Sequence, residues 1–161
     1  MVNPMIDRNK LNALQKIYRG LDDLHVVWAV TGSLGLALQG MDIEVRDIDI
    51  QTSRDGAFEI ESCFQQHVVE PVRYLASERK RSYLGALEID GIKVEIMGDV
   101  QALVDGDVWE EPVKVERYRR WIDLDVMQIP VLTLEHEMVA YQAMGRNERA
   151  QQIRQWLDAS G

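Results

Sequence analysis

The hydrophobic positions of the chain switch repeatedly between two periods. Near the start, Ile6, Ala13, Leu14, Ile17 and Leu21 recur at helical spacing. Asn3-Pro4 reads as the cap and first position of that helix, and Gly20 stands where it would end. VVWAVT, residues 26–31, is a short apolar, β-rich run and predicts a buried strand. Gly32-Ser33 is a turn, and Leu34–Gln39 a short helix. DIDIQT, Asp47–Thr52, alternates charged and apolar residues at the period of a strand. Ser53 caps a further helix whose apolar face holds Ala57, Ile60 and Phe64.

Residues 72–76 predict another strand. SYLGALEIDGIKVEIMGD reads as a hairpin turning at Asp90-Gly91, a strong two-residue turn signal. Two strand-like runs after Pro112 lead to Ile129-Pro130. Thr133 caps a helix carrying Leu134, Met138 and Tyr141, with Glu135 and Glu137 in the first turn, where acids suit the helix dipole. Gly145 ends it, and Arg146–Leu157 forms a last amphipathic helix. The expected architecture is α/β: a mixed sheet flanked by helices in residues 1–130, with a C-terminal helical pair, 131–161, packed on it as one domain.

Composition narrows the function. A net charge of -9 argues against a broad basic surface for nucleic acid, while leaving room for a local basic pocket. The single cysteine, Cys63, has no internal partner and reads as a small apolar side chain buried on a helix. His25, His67 and His136 lack metal-ligand spacing. No stretch approaches the roughly 20 apolar residues of a membrane span, and MVNPMIDRNK is not a signal peptide; a cytoplasmic protein is the expectation.

Asp47 and Asp49 are two apart on a strand, so they share a face and repel. One remedy is a proton held at a raised pKa. A Mg²⁺ ion is another, since hard cations take carboxylate oxygens. A solvated edge-strand face, with Ile48 and Ile50 turned inward, also fits the alternation. Glu95 interrupts the apolar strand KVEIMG and is the third ligand if that strand lies beside DID; otherwise it is a surface acid. The Gly32-Ser33 turn lets backbone approach a ligand closely, and its helix start offers N–H groups to phosphate. A phosphate cradle followed by paired acids supplies what phosphoryl transfer requires.

In this order, AVTGSLGLAL, RDIDIQT and KVEIMGD resemble the nucleotidyltransferase superfamily with the polymerase-beta-like fold. The tail LTLEHEMVAYQAMGRNERAQQIRQWL is similar to that of small bacterial members, including lincosamide nucleotidyltransferase-like and abortive-infection-related groups. The resemblance implies that Asp47 and Asp49 bind two Mg²⁺ (or Mn²⁺) ions, and that Glu95 completes one site and helps activate an acceptor hydroxyl. Gly32, Ser33 and Arg46 would bind the nucleotide. A nucleoside monophosphate would pass from an NTP such as ATP to the acceptor, and pyrophosphate would leave. Departures from relatives are Ile43 and Val45 where many carry Arg and Thr, Tyr141 where Lys is frequent, and Glu148-Arg149 where Lys-Asp is frequent; Arg146 is retained.

Two basic clusters are candidates for further substrate contacts: Arg79 and Lys80 ahead of the hairpin, alternatively a loop of solvated charge, and Arg117 and Arg119 in ERYRRWID, whose Tyr118 and Trp121 alternatively belong to an amphipathic strand, partly in the core. Tyr141 and Arg146 complete the set. The leading expectation is a Mg²⁺-dependent enzyme acting on a small-molecule acceptor such as an antibiotic. The alternatives are a toxin–antitoxin component that nucleotidylates or binds a partner protein or RNA, and an inactive binding module that keeps the fold. A homodimer is compatible with either.

Overall fold

The computed structural model describes residues 6–104 and 106–160. In chain order its elements are α1 (Arg8–Asp22), β1 (Trp28–Thr31), α2 (Gly32–Leu38), β2 (Ile48–Thr52), α3 (Arg54–Cys63), β3 (Val68–Ala76), β4 (Lys80–Ile89), β5 (Ile92–Val104), β6 (Val108–Trp109), β7 (Arg119–Leu124), β8 (Met127–Leu132), α4 (Leu134–Ala143) and α5 (Asn147–Ser160). The strands form one mixed sheet in the order β3-β4-β5-β2-β1-β8-β7, with β6 paired to β5. β2 runs parallel to β5 and antiparallel to β1, and β1 runs parallel to β8.

Apolar spacing decides which faces meet. Ala13, Leu14, Ile17 and Leu21 of α1 pack with Ile48 and Ile50 of β2, Val94 and Ile96 of β5, and Ile129 and Val131 of β8. The central strands are therefore shielded on that face. α3 is capped by Ser53, whose side chain accepts from the Gly56 N–H at 3.0 Å. It seats Ala57 and Ile60 in the same core. A second cluster joins Leu36, Met41 and Ile43 to Leu134 and Tyr141 of α4 and Ala150 and Ile153 of α5. Through it the C-terminal helices rest on α2 and the loop that follows.

Several boundaries differ from the sequence reading, each for a local reason. The Asn3-Pro4 helix start falls outside the described residues; Asp7 caps α1 instead, accepting from the Lys10 N–H at 2.9 Å. Gly20 does not end α1, which runs on to Asp22; a Cβ at Gly20 would meet the Phe64 ring, so the glycine serves close packing. Cys63 is exposed at the last position of α3, not buried. Asp47 stands in the bend before β2, not in the strand. Tyr118 and Trp121 are exposed. The Asp90-Gly91 turn is as expected, with both residues at positive φ, 54° and 79°, as a twisted two-residue hairpin requires. Thr133 likewise caps α4, accepting from the His136 N–H at 3.3 Å.

The glycine on β5 tests the α3–sheet seam. A Cβ at Gly98 would stand 2.6 Å from the Ser53 carbonyl oxygen and 3.0 Å from the Ala57 Cβ. Gly98→Ala should destabilise the protein by about 1–3 kcal/mol in urea unfolding, through overpacking. An unchanged midpoint would mean that α3 does not sit this close to the sheet.

Candidate active site

Ile48 and Ile50 are fully buried in the core, so Asp49 between them points to the opposite face of β2. That face is not open water. It floors a cavity of ≈260 Å³ lined by Thr31, Gly32, Lys80, Glu95, Glu137, Tyr141 and Arg146, among others. Strand register sets the acids side by side. Asp49 pairs with Thr31 across to β1 and with Glu95 across to β5. Asp47, half-buried in the preceding bend, lies outside the cavity wall, yet its charge reaches Asp49.

Asp49 consequently holds its proton more tightly. Burial, then the Glu95 charge, then the Asp47 charge push its carboxyl up to about 6, against the opposing pull of Lys80 and Lys93. Glu95 is half-exposed and pairs with Lys93 at 3.4 Å. Lys80 carries the opposite problem. Its burial pushes its pKa down more strongly than Glu95 and Asp49 raise it. Its ammonium points at the Met97 sulfur, 3.4 Å away.

The Gly32 corner is built for Asp49. Gly32 has φ +68°, and a Cβ there would run into the Asp49 Oδ2. Only a glycine permits both the left-handed backbone and the close carboxylate. Its N–H, expected to be free for phosphate, donates instead to Glu137 Oε2 at 3.2 Å. Ser33 Oγ accepts from the Arg46 N–H at 3.3 Å, which ties Arg46 to the corner through its backbone.

Glu137 is the residue that the sequence reading placed only as a helix-dipole acid. It is 3 % exposed, and its other oxygen accepts from the Thr31 hydroxyl at 2.6 Å. Burial pushes it up to about 7, partly offset by those two hydrogen bonds. The signal was in the spacing: Leu134, Glu137 and Tyr141 fall on one helical face, and all three are buried. On the same face Tyr141 is pushed up to about 12, chiefly by burial and then by Glu137. The Arg146 guanidinium lies 4.7 Å from its ring centre.

The two basic clusters separate. Lys80 enters the acid cavity, and Arg79 lies against the α4–α5 turn at Gly145. Arg117 instead lines a larger neighbouring cavity of ≈900 Å³. Arg119 donates to the Trp28 carbonyl at 3.3 Å and lies 4.9 Å from the Trp121 ring centre. The larger cavity carries Asp55, Glu59, Asp99, Glu110, Glu111 and Glu116, and it shares Glu110, Val113 and His136 with the acid cavity.

The donors suit a hard divalent cation: the carboxylates are crowded enough to raise the Asp49 pKa even though Lys80 and Lys93 offset part of the charge. Among the described residues, no three acidic, histidine or cysteine side chains already stand grouped around a metal position. Glu95, paired with Lys93, would have to turn to complete such a group.

A parallel β2–β5 pair carrying adjacent acids, approached by a glycine corner, belongs to the nucleotidyltransferase fold. Residues 13–156 match the family model described as aminoglycoside-2''-adenylyltransferase, and the chain belongs to that family. A candidate nucleotidyltransferase from Thermotoga maritima is 47% identical, with 96% of each chain covered and a TM-score of 0.84. Two more distant structures share the fold at 13% identity. The lincosamide antibiotic adenylyltransferase LnuA, bound to lincomycin, has a TM-score of 0.60 over 89% of this chain and 95% of its own. ANT(2'')-Ia in complex with adenylyl-2''-tobramycin has a TM-score of 0.61 over 94% and 90%. No curated protein matches the chain by sequence. Among the described residues, no helix is long and apolar enough to cross a membrane.

The raised carboxyl of Glu137 fixes a sign for stability against pH. The folded protein keeps a proton that the unfolded chain loses near 4.5, so stability falls as pH rises from about 4.5 to about 7. The contribution is on the order of 3 kcal/mol. Glu137→Gln should flatten that part of the curve and raise the melting temperature at pH 8. Melting curves from pH 4 to 8 that slope equally in variant and wild type would show that Glu137 is not the titrating group.

Proposed function

We propose that this protein transfers the nucleoside monophosphate of an NTP, ATP first, to a hydroxyl of a small amine-bearing molecule, with Mg²⁺ required. The observation that carries the reading is the Asp49–Glu95 pair on adjacent parallel strands, walled by the Gly32 corner. In it Asp47, Asp49 and Glu95 hold the metal, which when bound neutralises and polarises the phosphate oxygens.

The protein's own groups do the remaining work. Ser33 lends its hydroxyl to the triphosphate, and Arg46, next to Asp47, adds a guanidinium. Gly32 contributes mainly the space its missing Cβ leaves beside Asp49. Lys80 and Arg146 face the same cavity and offer the cations that a leaving pyrophosphate needs. Lys80 suits this role because it is buried beside the acids and lies against a sulfur rather than in a saturated ion pair. Glu95, half-exposed beside Asp49, takes the proton of the acceptor hydroxyl. The oxygen of that hydroxyl attacks the α-phosphorus in line, the bond to the β-phosphate oxygen breaks, and pyrophosphate leaves.

The neighbouring cavity supports a cationic acceptor. Six acidic side chains line it against Lys114 and Arg117, and it shares Glu110, Val113 and His136 with the acid cavity. A cationic molecule seated there is drawn in by charge and presents a hydroxyl towards Glu95. The fold neighbours bound to lincomycin and to adenylyl-2''-tobramycin make amine-bearing antibiotics the first acceptors to test.

Two measurements test this reading. A thermal-shift screen of the four NTPs should show stabilisation by at least one of them, and only with Mg²⁺ present. Asp49→Asn should lower acceptor-dependent pyrophosphate release by about 10³-fold or more, while its melting temperature without Mg²⁺ rises because a buried repulsion is gone. Equal pyrophosphate release by wild type and variant would overturn the assignment.

A further inference from the structure

A carboxylate in the first turn of α4 needs no burial to benefit from the helix dipole, since Glu135 in the same turn is exposed. Glu137 is buried nonetheless, and both its oxygens are engaged more than 100 residues away in sequence. One accepts from the Thr31 hydroxyl at 2.6 Å, the other from the Gly32 N–H at 3.2 Å. Those two residues flank Asp49. Thr31 is its register partner on β1, and the bare Cα of Gly32 lies against the Asp49 carboxylate. Burying a carboxyl is unfavourable, so an apolar residue would serve packing better. What an apolar residue cannot do is accept these two hydrogen bonds.

We propose that Glu137 is a positioning residue that holds the Thr31-Gly32 corner in its left-handed shape, and so fixes the place of Asp49, from the helical extension. Its two hydrogen bonds go to Thr31 and Gly32, not to Asp49 itself. Its position on α4, one turn before Tyr141, makes docking of the C-terminal helices a condition for a correctly shaped corner. What the corner serves rests on the nucleotidyl-transfer reading; that Glu137 shapes the corner does not.

The experiment compares Glu137→Gln, Glu137→Met and Thr31→Val with wild type. Gln keeps an acceptor for the Gly32 N–H and a donor for the Thr31 hydroxyl oxygen. Met fills a similar volume and supplies neither. Thr31→Val removes one bond at little change in shape, and covers the case in which Glu137→Met does not fold. Two readouts are taken on folded protein. Exchange of the Gly32 amide with solvent should be unchanged in Glu137→Gln and faster by about tenfold or more in Glu137→Met. At saturating acceptor, kcat should fall about 30-fold in Glu137→Met and about threefold in Thr31→Val, with KM for the NTP within about threefold of wild type. Glu137→Gln should restore kcat to within about threefold. An unchanged Gly32 amide in Glu137→Met would overturn the proposal. So would a Glu137→Gln as inactive as Glu137→Met, because the proton rather than the hydrogen bonds would then matter. A wild type without NTP turnover would defeat the proposed function, and Gly32 exchange would then decide this inference alone.

Discussion

The constraint on which the rest of this structure depends is that Asp49 cannot leave the floor of its cavity. It is held on a central strand by Ile48 and Ile50, each fully buried in the main core. Turning the carboxylate to solvent would require moving both isoleucines, which core packing opposes by about 1.5–3 kcal/mol for each side chain. The strand thus forces a charge into a place where Glu95 and Asp47 already repel it. The protein tolerates the conflict by letting Asp49 hold its proton up to about 6. A carboxyl perturbed in this way, in a cavity beside a second acid, marks a candidate functional site.

Everything around Asp49 keeps this arrangement intact. Gly32 gives up its side chain to make room, and β5 brings Glu95 alongside by parallel pairing. The C-terminal helices then close the cavity with Glu137, Tyr141 and Arg146. The order of the sheet makes this economical. β2 lies between β1 and β5, so one strand reads both the glycine corner and the third acid. The second hydrophobic cluster, centred on Leu36, Leu134 and Ile153, holds the helical pair against the corner it helps to shape.

Much of this was legible in the chain. The period-two run DIDIQT declared the strand and turned Asp49 away from Ile48 and Ile50, although Asp47 falls in the bend before it; the Asp90-Gly91 signal placed β4 beside β5. What no local pattern could show was the pairing of β2 with β5, since parallel register is decided by long-range packing. The fate of the Gly32 N–H was hidden for the same reason: its partner lies 105 residues away. Glu137 was visible as an acid on an apolar helical stripe, but dipole stabilisation explained it too readily. Cys63 and Gly20 were misread because composition says nothing of which helix lies opposite; Phe64 takes the space at Gly20, and Cys63 is left at the surface. The ERYRRWID cluster divided because Arg119 lies on β7, at the far edge of the sheet from β5.

The claim that the crowded acids exist to hold a cation is tested most directly by a crystal structure grown with Mg²⁺ and a non-hydrolysable ATP analogue. The account predicts oxygens of Asp47, Asp49 and Glu95 at about 2.1 Å from metal, with Glu95 released from Lys93. Metal bound only by phosphates and water, with Glu95 still paired to Lys93, would contradict it.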